Sequence, residues 1–171
     1  MIYEPSDDTF LLAEQVKKLV QGKVLDLGTG SGYLAEIAIK KGCQVLAADI
    51  NLECVTYCNN KGIKTIQSDL FSDIKDKFDY IIFNPPYLPE DENEDGESKL
   101  VTTGGKKGNE IIIKFFEQVK SYLNQNGQIL ILVSSLTPDV EKIFKSNKFK
   151  YKLLSSKKLF FEELKVYLCM M

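Results

Sequence analysis

Lys23-Val24-Leu25-Asp26-Leu27-Gly28-Thr29-Gly30-Ser31-Gly32 decides the fold. A short apolar run enters a turn with three glycines, and Tyr33 to Lys41 then has helical spacing until Gly42 stops it. The unit reads as strand, glycine turn, helix. Upstream, residues 6–20 predict a helix. Ser6 is placed to cap it, the acids Asp7 and Asp8 occupy its first turn, and Phe10, Leu11, Ala13, Val16, Leu19 and Val20 give it an apolar face before Gly22 ends it.

Downstream the alternation repeats. Gln44 to Ile50 predicts a buried strand carrying Asp49 near its end, residues 52–61 a helix stopped by Gly62, and Ile63 to Ser68 a third strand leading to Asp69. A strand at 79–83, a helix over about 108–123, a strongly apolar strand from Gln128 to Val133 and a helix over about 138–146 follow. Strands alternating with helices of this length imply an α/β fold with a mostly parallel sheet and helices on both faces. Phe149 to Ser155 and Leu164 to Met170 break the rhythm, being two β-like segments with no helix between them, so an antiparallel C-terminal hairpin completes a seven-stranded sheet. At 171 residues, with no compositional boundary, the expectation is one domain over residues 1–171.

Composition excludes several function classes. Charge is nearly balanced, with 22 basic against 24 acidic residues, and every basic residue is lysine. A chain without arginine lacks the planar fork that reads guanine or grips phosphate bidentately, so nucleic acid is disfavoured as a partner. Histidine is absent too, which removes the commonest general base and zinc ligand. Cys43, Cys54, Cys58 and Cys169 are scattered, with no C-x-x-C pair, and read as reduced thiols rather than a metal or disulfide framework. No apolar run reaches membrane-spanning length and no leader pattern opens the chain, so a soluble, cytoplasmic protein is expected.

Asp79-Tyr80-Ile81-Ile82-Phe83-Asn84-Pro85-Pro86-Tyr87 is the second decisive stretch. A buried strand ends in an amide and two prolines. Each proline fixes φ and lacks an N–H, and Pro85 also restricts Asn84, so the Asn side chain and neighbouring carbonyls form a rigid set of acceptors at a strand's C-terminal end. Ligands of open α/β sheets bind there. Beyond it, Pro89 to Lys99 carries Glu90, Asp91, Glu92, Glu94, Asp95 and Glu97, an acidic connection whose length fits either a lid or a disordered loop.

A glycine turn after the first strand and an acid at the end of the next one point to a nucleoside-containing cofactor. A dinucleotide is disfavoured, because the third glycine of its fingerprint would fall where this chain has Tyr33, and no GxxxxGK[ST] phosphate loop is present. Asp26 before the turn, Asp49 for ribose hydroxyls and Asp69 for an exocyclic amino group would suit a cationic, phosphate-free nucleoside such as S-adenosylmethionine.

Through Val24 to Gly32, Asp49, Asp69 and Asn84-Pro85-Pro86-Tyr87 the sequence resembles the class I, Rossmann-like S-adenosylmethionine-dependent methyltransferases. The tetrapeptide narrows the resemblance to families that methylate a planar nitrogen: adenine N6, cytosine N4 or glutamine amide. Tyr3-Glu4-Pro5-Ser6-Asp7-Asp8-Thr9-Phe10-Leu11-Leu12 is similar to the opening signature of HemK-like glutamine methyltransferases of archaea and eukaryotes, which act on class 1 translation release factors, and Gly104-Gly105-Lys106-Lys107-Gly108 matches their Gly-Gly-Lys-x-Gly element. Asp7 stands where that signature usually has Glu. The resemblance implies that Thr9 positions the cofactor, that Asp26, Gly28 and Gly30, with Leu27 beside them, line its methionine end, that Asp49 and Ile50 hold its ribose, and that Asp69 with Leu70 holds its adenine. It assigns the chemistry to Asn84, Pro85, Pro86 and Tyr87, with Asn84 also beside the cofactor and no metal.

Adenine, cytosine and glutamine present the same NH2 geometry to the tetrapeptide. With no arginine and an acidic loop nearby, a protein substrate leads, and the resemblance specifies the glutamine of a Gly-Gly-Gln loop in a release factor, with lysine methylation as a side activity. The alternatives are a nucleobase methyltransferase and a cofactor-binding subunit without its own activity. The resemblance also implies a small zinc-binding activator docking on an edge strand near Ile63–Ser68. Ile63 and Ile66 would be its contacts, unless they are simply buried under the sheet's helices.

Overall fold

A computed structural model of the chain describes residues 2–88 and 102–171. The acidic stretch from Pro89 to Lys99 lies outside the described residues. In chain order the elements are α1 (Asp7–Leu19), β1 (Lys23–Leu27), α2 (Tyr33–Lys40), β2 (Gln44–Asp49), α3 (Leu52–Asn60), β3 (Thr65–Gln67), β4 (Phe78–Phe83), α4 (Glu110–Gln118), a 3-10 turn (Val119–Tyr122), β5 (Leu123–Ser134), α5 (Val140–Ser146), β6 (Lys150–Lys158) and β7 (Glu163–Met170). The strands form one seven-stranded sheet in the order β3-β2-β1-β4-β5-β7-β6. Its first five strands are parallel, and β7 runs antiparallel to both β5 and β6. The expected α/β class and C-terminal hairpin are both present.

Period-2 alternation in the central strands builds both layers. From β5, Ile129, Ile131 and Val133 face α4 and α5, where Phe115, Phe116, Phe144 and Phe149 fill the core. Leu130 and Leu132 face the opposite layer, where Leu12 and Val16 of α1 meet Leu34 and Ile37 of α2. Phe115 stacks on Phe83 with ring centroids 4.5 Å apart and meets Phe116 edge-on at 5.1 Å. Truncating such a buried ring to Ala costs cores about 3–5 kcal/mol.

Several boundaries differ from expectation. The helix expected over 108–123 is α4 followed by the 3-10 turn, and β5 begins at Leu123, five residues before Gln128. Asn126 takes a left-handed φ of 62°, and the β4–β5 register shifts between Phe78 and Tyr80, so the polar Asn124-Gln125-Asn126-Gly127 segment bulges while remaining in the strand. On α1, Leu12 is fully buried whereas Phe10 is 48% exposed. The sheet-facing stripe runs through 12, 13 and 16, and Phe10 lies outside it, edge-on to Tyr33. Ser6 stands at the N-cap of α1 without a side-chain capping bond. Ile63 is only 2% exposed, packed with Ala35, Ala47 and Cys58, so it is core rather than an open contact for an added strand. Ile66 is half-buried against the core, in the three-residue strand β3 that does form a sheet edge.

Candidate active site

Register sets the site. Leu27 of β1 pairs with Phe83 of β4, so the glycine turn after one strand and Asn84 after the other begin side by side at the C-terminal end of the sheet. Here β1 leads outward to β2 and β3 while β4 leads to β5, which is the switch point where open α/β sheets bind ligands. A cavity of about 770 Å³ opens there, large enough for a nucleoside-sized ligand. Thr9, Leu27, Gly28, Gly30, Asp49, Ile50, Asp69, Leu70 and the whole Asn84–Tyr87 tetrapeptide border it.

The turn is built by backbone strain that glycine relieves. Gly30 has φ +54°, and Gly32 has φ +80° with no room for a side chain, since a Cβ there would lie 2.6 Å from Ile63 Cδ1. The amides of Gly28 and Thr29 both donate to the Ala48 carbonyl, at 2.8 and 3.0 Å. Asp49 Oδ2 accepts from the Gly30 amide and its Oδ1 from the Asn51 amide, each at 2.9 Å, so one carboxylate ties the turn to the end of β2.

Asp26 does not border the cavity. It is 1% exposed behind the turn, and its Oδ2 accepts from Thr29 Oγ1 at 2.6 Å and from the Ala35 amide at 3.1 Å. The carboxylate expected to line the methionine end is therefore a buttress between the turn and α2. Burial, foremost, pushes its pKa up to about 7, with the charge of Asp49 adding to the rise. Burial likewise pushes Cys54 up to about 12 and Cys58 to about 11, which keeps both thiols protonated beside the turn.

Leu70 has φ +48°, a left-handed conformation rare for leucine. Ser68 Oγ holds this bend by donating to the Leu70 carbonyl at 2.8 Å and accepting from the Asp73 amide at 3.1 Å. Asp69 is exposed at its rim.

The second half of the site centres on Asn84. Its Nδ2 donates to Asp8 Oδ2 at 3.1 Å, across 76 residues of sequence. Its Oδ1 is buried with no hydrogen-bond partner among the described residues. Leaving a buried acceptor unmatched costs about 1–3 kcal/mol, so this oxygen is placed to receive a donor from a bound molecule. Asp8 determines which way the amide points, and it is itself fixed by Tyr3 Oη at 2.9 Å, Ser6 Oγ at 2.7 Å and the Thr9 amide at 2.6 Å. Ser6, read from the sequence as a helix cap, works in this cluster instead. Burial first, and then Asp8, raise the pKa of the Tyr87 hydroxyl well above its ordinary value, and Tyr3 is pushed up to about 12 for the same leading reason. Both phenols stay protonated.

A backing loop completes the corner. The Tyr87 and Leu88 amides donate to the Thr102 carbonyl, and the Gly104 amide returns a bond to Leu88. A Cβ on Gly104 would lie 2.7 Å from the Pro86 carbonyl oxygen, so only glycine permits the approach. Glu110 clamps this glycine loop by accepting from the Lys107 and Gly108 amides at 3.0 and 3.1 Å. Thr137 Oγ1 donates to the Tyr87 carbonyl at 2.9 Å. Sequence reading missed Asp8, Tyr3, Ser68, Glu110 and Thr137 as site residues. Asp8 sat inside the quoted opening signature, but its role depends on a partner that only the fold brings near.

The methyltransferase small domain family matches residues 6–160. The chain belongs to that family. It is 38% identical, over 96% of its own length and 89% of the relative's, to a Methanocaldococcus jannaschii protein provisionally named a protein N5-glutamine methyltransferase. It is 30% identical over 85% of its length to the Lactococcus lactis release factor glutamine methyltransferase, of which it spans 58%. Among solved structures it superposes with a TM-score of 0.82, at 24% identity and with 99% and 98% of the two chains covered, on a chain of the E. cuniculi Mtq2-Trm112 complex, which is responsible for the methylation of the eRF1 translation termination factor.

The protein is thus of a methyltransferase family, and the methyl donor expected from its sequence is S-adenosylmethionine. The residues present fit that molecule. Asp49 is fixed at the end of β2, the glycine turn offers close backbone approach, and the described residues bordering the cavity include the three acids Asp8, Asp49 and Asp69 against the single cation Lys114, a balance that suits a cationic ligand. Its polar wall at the other end is the open acceptor of Asn84.

Proposed function

We propose that this enzyme methylates the side-chain amide nitrogen of a glutamine in a protein, and that the protein is a class 1 translation release factor. The observation that carries the chemistry is the buried Oδ1 of Asn84, without a partner among the described residues, aimed by Asp8 and flanked by Pro85 and Tyr87. The names of the M. jannaschii and L. lactis relatives support the amide and the release factor.

An amide nitrogen is a weak nucleophile because its lone pair is delocalised into the carbonyl. When bound, S-adenosylmethionine supplies an electrophilic methyl on a sulfonium sulfur. Asn84 Oδ1 accepts one N–H of the target amide, the Pro85 carbonyl accepts the other, and Tyr87 packs on the amide plane. Both acceptors gain strength as positive charge grows on the nitrogen, which is the selective stabilisation that lowers a barrier. Because Asp8 and the prolines fix these acceptors in advance, orientation supplies much of the rate, on the order of 7–11 kcal/mol for a well-aligned pair. The N–C bond would form as the methyl–sulfur bond breaks, leaving neutral S-adenosylhomocysteine, and the cationic, strongly acidic methylated nitrogen would lose its extra proton to water, so no imidazole base is required. Thr9, Gly28, Gly30, Asp49, Asp69 and Leu70 hold the cofactor, with Asp26 shaping the turn from behind.

We further infer that a small activator protein adds a strand to the edge at β3, with half-buried Ile66 at the seam, by analogy with the two-protein assembly of the E. cuniculi structure. The described residues contain no helix long and apolar enough to cross a membrane, which suits action on a cytoplasmic translation factor.

The test is methyl transfer from labelled S-adenosylmethionine to the source organism's release factor, alone and with its bound partner factor, beside tRNA and DNA. Label on the release factor glutamine is expected. Label on nucleic acid alone would overturn the substrate, and a monodisperse, fully active enzyme purified by itself would overturn the activator.

A further inference from the structure

The tip of the β6–β7 hairpin carries Phe160 and Phe161, 92% and 83% exposed, with their rings edge-on at 4.6 Å. Two adjacent phenylalanines in water are costly to solubility and belong to no core cluster of this fold. The hairpin is not a loose appendage. The Leu159 amide donates to the Glu162 carbonyl at 2.7 Å to close the tip. Glu162 accepts from Ser134 Oγ at the end of β5, the Ser135 amide donates to the Glu163 carbonyl at 2.8 Å, and the Glu163 amide donates to Ser135 Oγ at 2.9 Å.

These bonds bring the tip to the acceptor corner. The segment after Ser134 reaches Tyr87 through Thr137, and the charge of Glu162 raises the pKa of both Tyr3 and Tyr87, the two phenols that surround Asp8. Exposed Leu136, between Ser134 and Thr137, adds an apolar side chain to the same ledge. At the far edge Lys157 of β6 is paired to Asp7 of α1 at 2.7 Å, which holds the hairpin against the N-terminal segment that aims Asn84.

We propose that Phe160 and Phe161 are the docking platform for the substrate protein, engaging an apolar patch next to the loop that carries the target glutamine. The inference rests on the protein-glutamine reading of the site. A glutamine offered by a protein brings folded surface with it, and the surface continuous with the acceptor corner is this ledge. Rigid aromatics with two χ angles lose little entropy on binding and are typical anchors of interfaces. Their position outside the cavity means that they select the protein and leave the chemistry to Asn84.

The experiment compares wild type, F160S/F161S and the conservative F160L/F161L on two substrates, the intact release factor with its partner factor and a short Gly-Gly-Gln peptide. With the intact protein, KM and the dissociation constant by titration calorimetry should rise about tenfold or more in the serine variant, with kcat within about twofold, and the leucine variant should recover most of the loss. Peptide turnover and S-adenosylmethionine affinity should not change. Equal loss on peptide and protein would overturn the platform, as would wild-type KM in the serine variant. A concentration-dependent dimer that the serine substitutions dissolve, with methylation unchanged, would overturn it in favour of a second copy of this chain. If wild type labels neither substrate, the glutamine reading itself falls, which is a different result from an active wild type with an unaffected variant.

Discussion

The two halves of the active site are finished to different degrees. Around the β1–β2 strand ends the hydrogen bonds close internally: both oxygens of Asp49 accept backbone amides, and Asp26 serves Thr29 and Ala35. Around the β4 strand end the Oδ1 of Asn84 has no partner among the described residues, although its own Nδ2 is satisfied by Asp8. A half braced in this way is a mould for a bound molecule, and its residues act through binding and shape. On the proposed mechanism the open acceptor of Asn84 receives the target amide, and that residue acts on the reaction. Substitutions on the β4 side should therefore alter turnover, and those on the β1–β2 side affinity and stability.

Asn84→Ala gives the sharpest test of that division. It should lower kcat by about 10²–10³-fold, the scale of losing one preorganised hydrogen-bonding group at a developing charge, with the cofactor dissociation constant within about twofold. Radiolabel transfer and calorimetry measure the two separately. A large loss of cofactor affinity with residual turnover would move Asn84 to the binding half. Asp8→Ala should come next, at about 10–10²-fold in kcat, because it frees the amide of Asn84 to rotate and misplaces the acceptor. If Asp8→Ala left kcat intact, the unpartnered oxygen would be aimed by something other than this carboxylate.

The placement of Asp49, Asp69 and the tetrapeptide at one end of the sheet was legible in the sequence because the signals for it are local. A glycine turn after a strand and an amide followed by two prolines fix the backbone wherever they occur, and period-2 and period-3.6 patterns placed them at the same sheet end. The Asp8–Asn84 bond was not legible, since a residue in a helix's first turn and one at a distant strand tip share no local signal. Asp26 was misplaced for a related reason. Position in sequence puts it at the mouth of the turn, but period-2 alternation turns its side chain toward α2. Ile63, two residues before β3 begins, turns inward to fill the space that Gly32 leaves open.

On the cofactor side the effects should be smaller and of a different kind. Asp49→Ala should raise the S-adenosylmethionine dissociation constant about tenfold or more while kcat at saturation changes little. It should also cost about 1–3 kcal/mol of stability, because the Gly30 and Asn51 amides lose their acceptor. A drop in kcat at saturating cofactor would erase the distinction between the halves.

Asp26 should give the smallest effect, visible only against pH. Its folded-state pKa of about 7 lies above the ordinary 3.8, chiefly because burial penalises the charge. The folded protein therefore holds a proton that the unfolded chain releases. The stability this contributes is fully present below about pH 4 and is lost as pH rises through about 7. Asp26→Asn keeps the shape and an oxygen that can accept from Thr29 and Ala35, but it never ionises. Thermal melts should show the variant gaining on wild type as pH is raised from about 5 to about 8, with the cofactor omitted from both. A Tm difference independent of pH would mean that the buttress is charged in the folded protein throughout. The mould would then be held by an ionised carboxylate rather than a protonated one.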